Sequence, residues 1–77
     1  MKKTLTIAGS DTTGSAGLQA DLKTFQEYGT FGMSAITSIV TMDINDNWSH
    51  SIETIEPEVV GRQLETIFAG GKPDALK

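Results

Sequence analysis

The sequence predicts an α/β fold that opens in the order β-α-β-β-α and stops before its sheet is complete. Three observations carry that expectation. Short runs of β-branched residues alternate with segments whose apolar residues recur at helical spacing. A glycine- and hydroxyl-rich loop joins the first strand to the first helix, as in the first half of a βαβ unit. A further apolar run begins after Pro73, at Ala75-Leu76, and ends at Lys77, where another strand belongs.

Thr4 to Ala8 is short, β-branched and closed by Gly9, which predicts a buried strand. Gly9 to Gly17 forms the loop, with Ser15 placed to cap the first helix. From Ala16 to Tyr28, Leu18, Leu22 and Phe25 fall at spacings of four and three, and Gly29 suits a left-handed helix terminator. Ser34 to Met42 carries apolar residues on both alternating faces, the pattern of a strand covered on both sides. Asn45, Asp46 and Asn47 mark a turn before Trp48. Ser51 to Ile55 alternates as a half-exposed strand. Pro57 fits the first turn of a helix with Val60, Leu64, Ile67 and Phe68 on one face, ended by Gly70 and Gly71.

Composition narrows the function classes. A chain of 77 residues makes at most one small domain, and a core of that size rarely supplies more than about 3–5 kcal/mol without a staple. No cysteine is present, and one histidine makes no metal cluster of the usual kind. The expectation is therefore the amino-terminal part of a single larger domain. Ten acidic against six basic residues give a formal charge of −4, with the bases scattered. That argues against nucleic acid, which needs a basic stripe, and against a triphosphate site within these residues. No apolar stretch approaches the roughly 20 residues of a membrane span, and Lys2 and Lys3 lead into no leader-like run. The expected location is cytoplasmic.

Candidate site residues are suggested by position. The loop from Gly9 to Gly17 leaves a strand and opens a helix, where α/β proteins commonly bind ligands. Its glycine spacing is neither G-x-G-x-x-G nor a lysine-bearing phosphate loop. It is either a ligand contact or a plain strand-to-helix turn. Asp21 projects about 60° from Leu18 and about 40° from Phe25, at the margin of the buried stripe. Its carboxylate needs donors there: backbone amides of the preceding loop, or a ligand. His50 ends the turn as a solvated residue or as an acid/base group. Trp48 is a core cover or an aromatic wall. Val40 and Met42 sit at a strand end, as core or as ligand contacts.

The residues also carry a resemblance. Thr6-Ile7-Ala8-Gly9-Ser10-Asp11, followed by Ala16-Gly17-Leu18-Gln19-Ala20-Asp21-Leu22-Lys23-Thr24-Phe25, resembles the start of the hydroxymethylpyrimidine and pyridoxine kinases of the ribokinase-like superfamily. The likeness continues through Thr37 to Asp43, Trp48-Ser49-His50 and Pro73 to Lys77. It implies a three-layer α/β/α kinase, of which this chain is the start. The implied reaction moves the γ-phosphoryl group of ATP, with Mg2+, to a hydroxymethyl group on an aromatic vitamin ring. The implied ring-binding positions are Gly9, Ala16, Asp21, Val40 and Met42, with His50 as a flap contact. The catalytic base, nucleotide site and Mg2+ site are expected outside this segment, which alone is expected to be inactive. A homodimer is left open.

Two branches of the resemblance separate at Met42. Dedicated hydroxymethylpyrimidine kinases usually carry glutamine there, whereas Thr41-Met42-Asp43 and Trp48-Ser49-His50 resemble the pyridoxine and pyridoxal kinases. The expected function is vitamin B6 kinase. The alternatives are hydroxymethylpyrimidine/phosphomethylpyrimidine kinase and a non-enzymatic small-ligand-binding module, which fold alone does not exclude. Thr12-Thr13-Gly14-Ser15 departs from the Gly-Gly or Gly-Ala that often precedes Ala-Gly in the family.

Overall fold

The computed structural model describes residues 1–77. Six elements run in order along the chain: β1 (Lys3–Asp11), α1 (Gly17–Glu27), β2 (Phe31–Asp43), β3 (Ser49–Thr54), α2 (Pro57–Ala69) and β4 (Ala75–Leu76). They build one four-stranded sheet in the order β3-β2-β1-β4. β1 runs parallel to both β2 and β4, and β2 pairs antiparallel with β3. The fold is the predicted mixed α/β start.

Each connection has a local cause. α1 ends in a Schellman motif: Gly29 takes φ 70°, its N–H donates to Gln26 O, and the Thr30 N–H donates to Phe25 O. The expected side-chain cap at the start of α1 is not formed. Ala16 occupies the N-cap position, and Ser15 turns back to the carboxylate of Asp11 instead. Between β2 and β3, Asp43 O accepts the N–H groups of Asp46 and Trp48, and Asp43 Oδ1 accepts that of Asn45. Asn47 and Trp48 both take positive φ there. Trp48 is exposed there and covers no core within these residues.

The chain passes from β1 through α1 to a parallel neighbour on one side. It then returns through α2 to a parallel neighbour on the other side of β1. α1 packs against β1 and β2, and α2 packs against β2. α1 lies over the face that bears Thr6 and Gly32. Thr6 Oγ1 bonds Asp21 of α1, and a Cβ built on Gly32 would touch Leu22 and Phe25. Leu5 and Ala35, one position away, point to the other face and are fully buried. The core is therefore a thin strip along β1 and β2, completed by Leu18 from α1.

β2 is longer than its apolar pattern suggests. Phe31, Gly32 and Met33 are drawn into the sheet by pairing with Lys3, Thr4 and Leu5. A register shift between Ala8 and Gly9 leaves Thr37 as an extra residue in β2 and alters the strand's facing near its carboxyl end. Where β3 stops, Gln63 of α2 takes over the free edge of β2. Its Oε1 accepts the Ile36 N–H at 2.7 Å and its Nε2 donates to Ile36 O at 2.9 Å. That pair spares two part-buried backbone groups a desolvation cost of about 1–3 kcal/mol each.

β3 is exposed along its whole length, where a half-exposed strand was expected. Ile52 and Ile55 lie three positions apart, an odd spacing that does not put them on one face of a strand, and within these residues nothing covers Ile52. No helix is long and apolar enough to cross a membrane.

Candidate functional site

The register of β1 and β2 sets Asp11 beside Val40, and that of the β2–β3 hairpin sets His50 directly across from Met42. Val40 and Met42, two apart, share a face of the strand. The β1–α1 loop then folds over the end of β1. Thr12 donates both its N–H (3.2 Å) and its Oγ1 (2.9 Å) to Val40 O, tying the loop to β2. Ser10 and Gly17 form an isolated bridge.

These constraints shape an open cavity of about 210 Å³ lined by Gly9, Asp11, Ala16, Gly17, Val40, Met42 and His50. It lies at the carboxyl ends of β1 and β2, where open α/β sheets bind ligands. Two glycines make the close approach. Gly17 has φ 63°, and a Cβ there would sit below 3.0 Å from Gly9 O. A Cβ on Gly9 would come 2.7 Å from Ser38 Oγ.

Five of the six positions singled out from sequence, Gly9, Ala16, Val40, Met42 and His50, converge on this cavity. Asp21 does not line it. Its carboxylate accepts Thr6 Oγ1 at 2.7 Å and pairs with Lys77 Nζ, linking α1 to β1 and to the end of β4. The amides of the preceding loop are not its partners. The hydrogen bond from Lys77 first, then that from Thr6, holds Asp21 below the ordinary carboxylate range against the opposing effect of burial.

Asp11 and Gly17 line the cavity without having been singled out. Asp11 is 6% exposed. The Thr13 N–H and the Thr13 hydroxyl, then the Ser15 hydroxyl and the Ala16 N–H, keep its carboxyl below the usual range despite burial. The spacing Asp11-x-Thr13-x-Ser15 was the available signal, since Asp side chains commonly bond their own backbone two residues on.

Chemically, the cavity offers apolar walls from Ala16, Val40 and Met42, one imidazole and one engaged carboxylate. That suits a small flat ring with few polar substituents. No three His, Cys, Asp or Glu side chains converge here as a metal cluster would need. Lys23 Nζ is bonded to Gly14 O, and Lys77 is paired with Asp21.

Comparison with known proteins adds the family. The profile of the phosphomethylpyrimidine kinase family matches residues 11–77. The chain belongs to that family. Among its relatives, a putative pyridoxine kinase of Treponema pallidum is 56% identical over the whole chain, which covers 29% of that protein. A hydroxymethylpyrimidine/phosphomethylpyrimidine kinase of Bacillus subtilis is 45% identical over 97% of the chain, covering 27% of that relative. Among solved structures, the pyridoxal kinase from Staphylococcus aureus in complex with AMP-PCP and pyridoxal superposes with a TM-score of 0.92 at 58% identity. That match covers 99% of this chain and 28% of the neighbour. The chain thus spans between 27% and 29% of these three proteins and shares that part of their ribokinase-like fold.

Proposed function

We propose that this segment forms much of the ring-binding site of an ATP-dependent kinase for B6 vitamers: pyridoxine, pyridoxal and pyridoxamine. The observation that carries the reading is the convergence of Gly9, Ala16, Val40, Met42 and His50, from four separate stretches of chain, on one small cavity. An aromatic ring lies there against Val40 and Met42, with Ala16 on a further wall and His50 reaching over from β3. The hydroxymethyl oxygen of the ring attacks the γ-phosphorus of ATP, ADP leaves, and the hydroxyl proton passes to a base. ATP, Mg2+ and that base are assigned to parts of the kinase outside residues 1–77, as the family likeness implies. Higher identity to pyridoxine kinases than to a hydroxymethylpyrimidine kinase supports the B6 branch. Methionine at position 42 supports it too, since a thioether tolerates varied ring substituents but donates no hydrogen bond.

The test is a chimera in which this chain replaces the matched segment of the Staphylococcus aureus pyridoxal kinase. ATP-dependent formation of pyridoxal phosphate is expected, with a higher kcat/KM for pyridoxal than for hydroxymethylpyrimidine. A folded chimera that binds nucleotide but phosphorylates neither ring would overturn the proposal. The reverse preference would move it to the thiamine branch. The isolated 77 residues are expected to be inactive, because phosphoryl transfer rests on positioning and charge stabilisation that they lack.

A further inference from the structure

The polar groups of Asp11 are all committed inside the protein. Its N–H donates to Gln19 Oε1 at 3.0 Å, while Gln19 Nε2 donates to Ser10 Oγ at 2.8 Å. Its carbonyl oxygen accepts the Gly14 N–H at 2.9 Å. Oδ1 accepts both the Thr13 N–H and the Thr13 hydroxyl at 2.9 Å, and Oδ2 accepts the Ser15 hydroxyl at 3.1 Å. A carboxylate so occupied has little capacity left to take a proton from a ligand. The loop it holds is exposed along most of its length. Thr12, Thr13, Ser15 and Ala16 are exposed. The other ties of this stretch are the Thr12 N–H and hydroxyl to Val40 O, the Thr13–Ser15 hydroxyl pair, the Ser10–Gly17 bridge and Lys23 Nζ to Gly14 O. Yet Ala16 and Gly17, next along the chain, form one wall of the cavity.

We infer that Asp11 is a positioning residue for the ring site, its buried carboxylate gripping Thr13 and Ser15 so that Ala16 and Gly17 stand as a preformed wall. The inference rests on the proposed ring-binding role of the cavity. Preforming the wall removes the ordering cost that a flexible loop would otherwise subtract from ligand affinity. The lowered proton affinity of Asp11 accords with this role, because charge-assisted bonds are the stronger ones. Asp11 therefore affects ring affinity without touching the transferred phosphoryl group.

The same chimera tests this with Asp11→Ala, Asp11→Asn, Ser15→Ala and Ala16→Leu, each checked for folding by its melting temperature. Asp11→Ala is expected to raise KM for pyridoxal about tenfold or more, as loss of bonds to a charged acceptor implies, while KM for ATP moves by no more than about twofold. Asp11→Asn recovers part of the affinity, because its Oδ1 still accepts the Thr13 amide. Adding Ser15→Ala to Asp11→Asn brings little further loss, because that contact is already weakened. Equal rises in both KM values, or an unchanged pyridoxal KM in folded variants, would overturn the inference. Should Asp11→Ala fail to fold, Asp11→Asn and Ser15→Ala decide the matter by the same KM comparison. Ala16→Leu separates the two proposals, since it fills the cavity directly. If it leaves the pyridoxal KM unchanged, the ring-site reading itself fails and the inference falls with it. If it raises that KM while the Asp11 variants do not, only the positioning role is lost.

Discussion

Gly17→Ala probes how closely the start of α1 is pressed against β1. At φ 63° an alanine loses the freedom that glycine has there, at a cost of about 1–2 kcal/mol. Its methyl group would also sit below 3.0 Å from Gly9 O, with Gly9 C at 3.3 Å and Asp11 N at 3.5 Å. All three are backbone atoms of β1, which cannot rotate aside as a side-chain tip can. Relief therefore requires the helix start or the strand to shift, an overpacking cost of about 1–3 kcal/mol. Gly29→Ala is the matched control. Its φ is 70°, but nothing lies within 4 Å of the added Cβ. Only the conformational term applies there.

Urea unfolding of the chimera should therefore show Gly17→Ala more destabilising than Gly29→Ala by about 1–3 kcal/mol, the overpacking term alone. Because Gly17 lines the cavity and Gly29 closes the opposite end of α1, KM for pyridoxal should rise in the first variant and stay unchanged in the second. Equal destabilisation of the two variants would refute the argument that close backbone approach, rather than φ alone, requires glycine at position 17.

Two other outcomes are expected. Met42→Gln should shift the ratio of kcat/KM toward hydroxymethylpyrimidine over pyridoxal, because a glutamine amide can both donate to and accept from an aminopyrimidine edge. A gained bidentate contact is worth about 1–3 kcal/mol, and an unchanged ratio in a folded variant would show that Met42 does not set specificity. The second outcome concerns pH. Asp11 and Asp21 are both held below the ordinary value of 3.8, so each binds protons less readily folded than unfolded. Their stabilising contribution is complete above that value and is lost as pH falls through the lowered folded values. Denaturant unfolding between pH 6 and pH 2 (about the carboxylate range) should show a plateau and then a decline. The decline should be shallower in an Asp11→Asn, Asp21→Asn double variant. An unaltered slope would count against both networks.

Much of the element order was legible in residues 1–77 because its causes are local. Leu18, Leu22 and Phe25 repeat at helical spacing, Gly29 ends α1 where left-handed φ is needed, and Pro57 opens α2. Asn45 to Asn47 announce the turn. Boundaries were less legible. Phe31 to Met33 join β2 only because Lys3 to Leu5 lie alongside, which no run of neighbouring residues specifies. Trp48 could be a core cover or an aromatic wall by its residue type, and it stands exposed at the end of the turn.

The candidate site divides in the same way. The family likeness, and the residue types it singles out, were present in the sequence as Gly9, Ala16, Asp21, Val40, Met42 and His50. Their assembly was not. Asp21 finds its cation at Lys77, 56 positions away, because β4 returns beside β1. Met42 meets His50 because the turn sets a register in which they face each other across the hairpin. Periodicity and turn chemistry act between near neighbours, so a sequence displays them directly. Parallel register and crossover direction join distant segments, and they brought Asp11 and Gly17 to the same cavity as Val40, Met42 and His50.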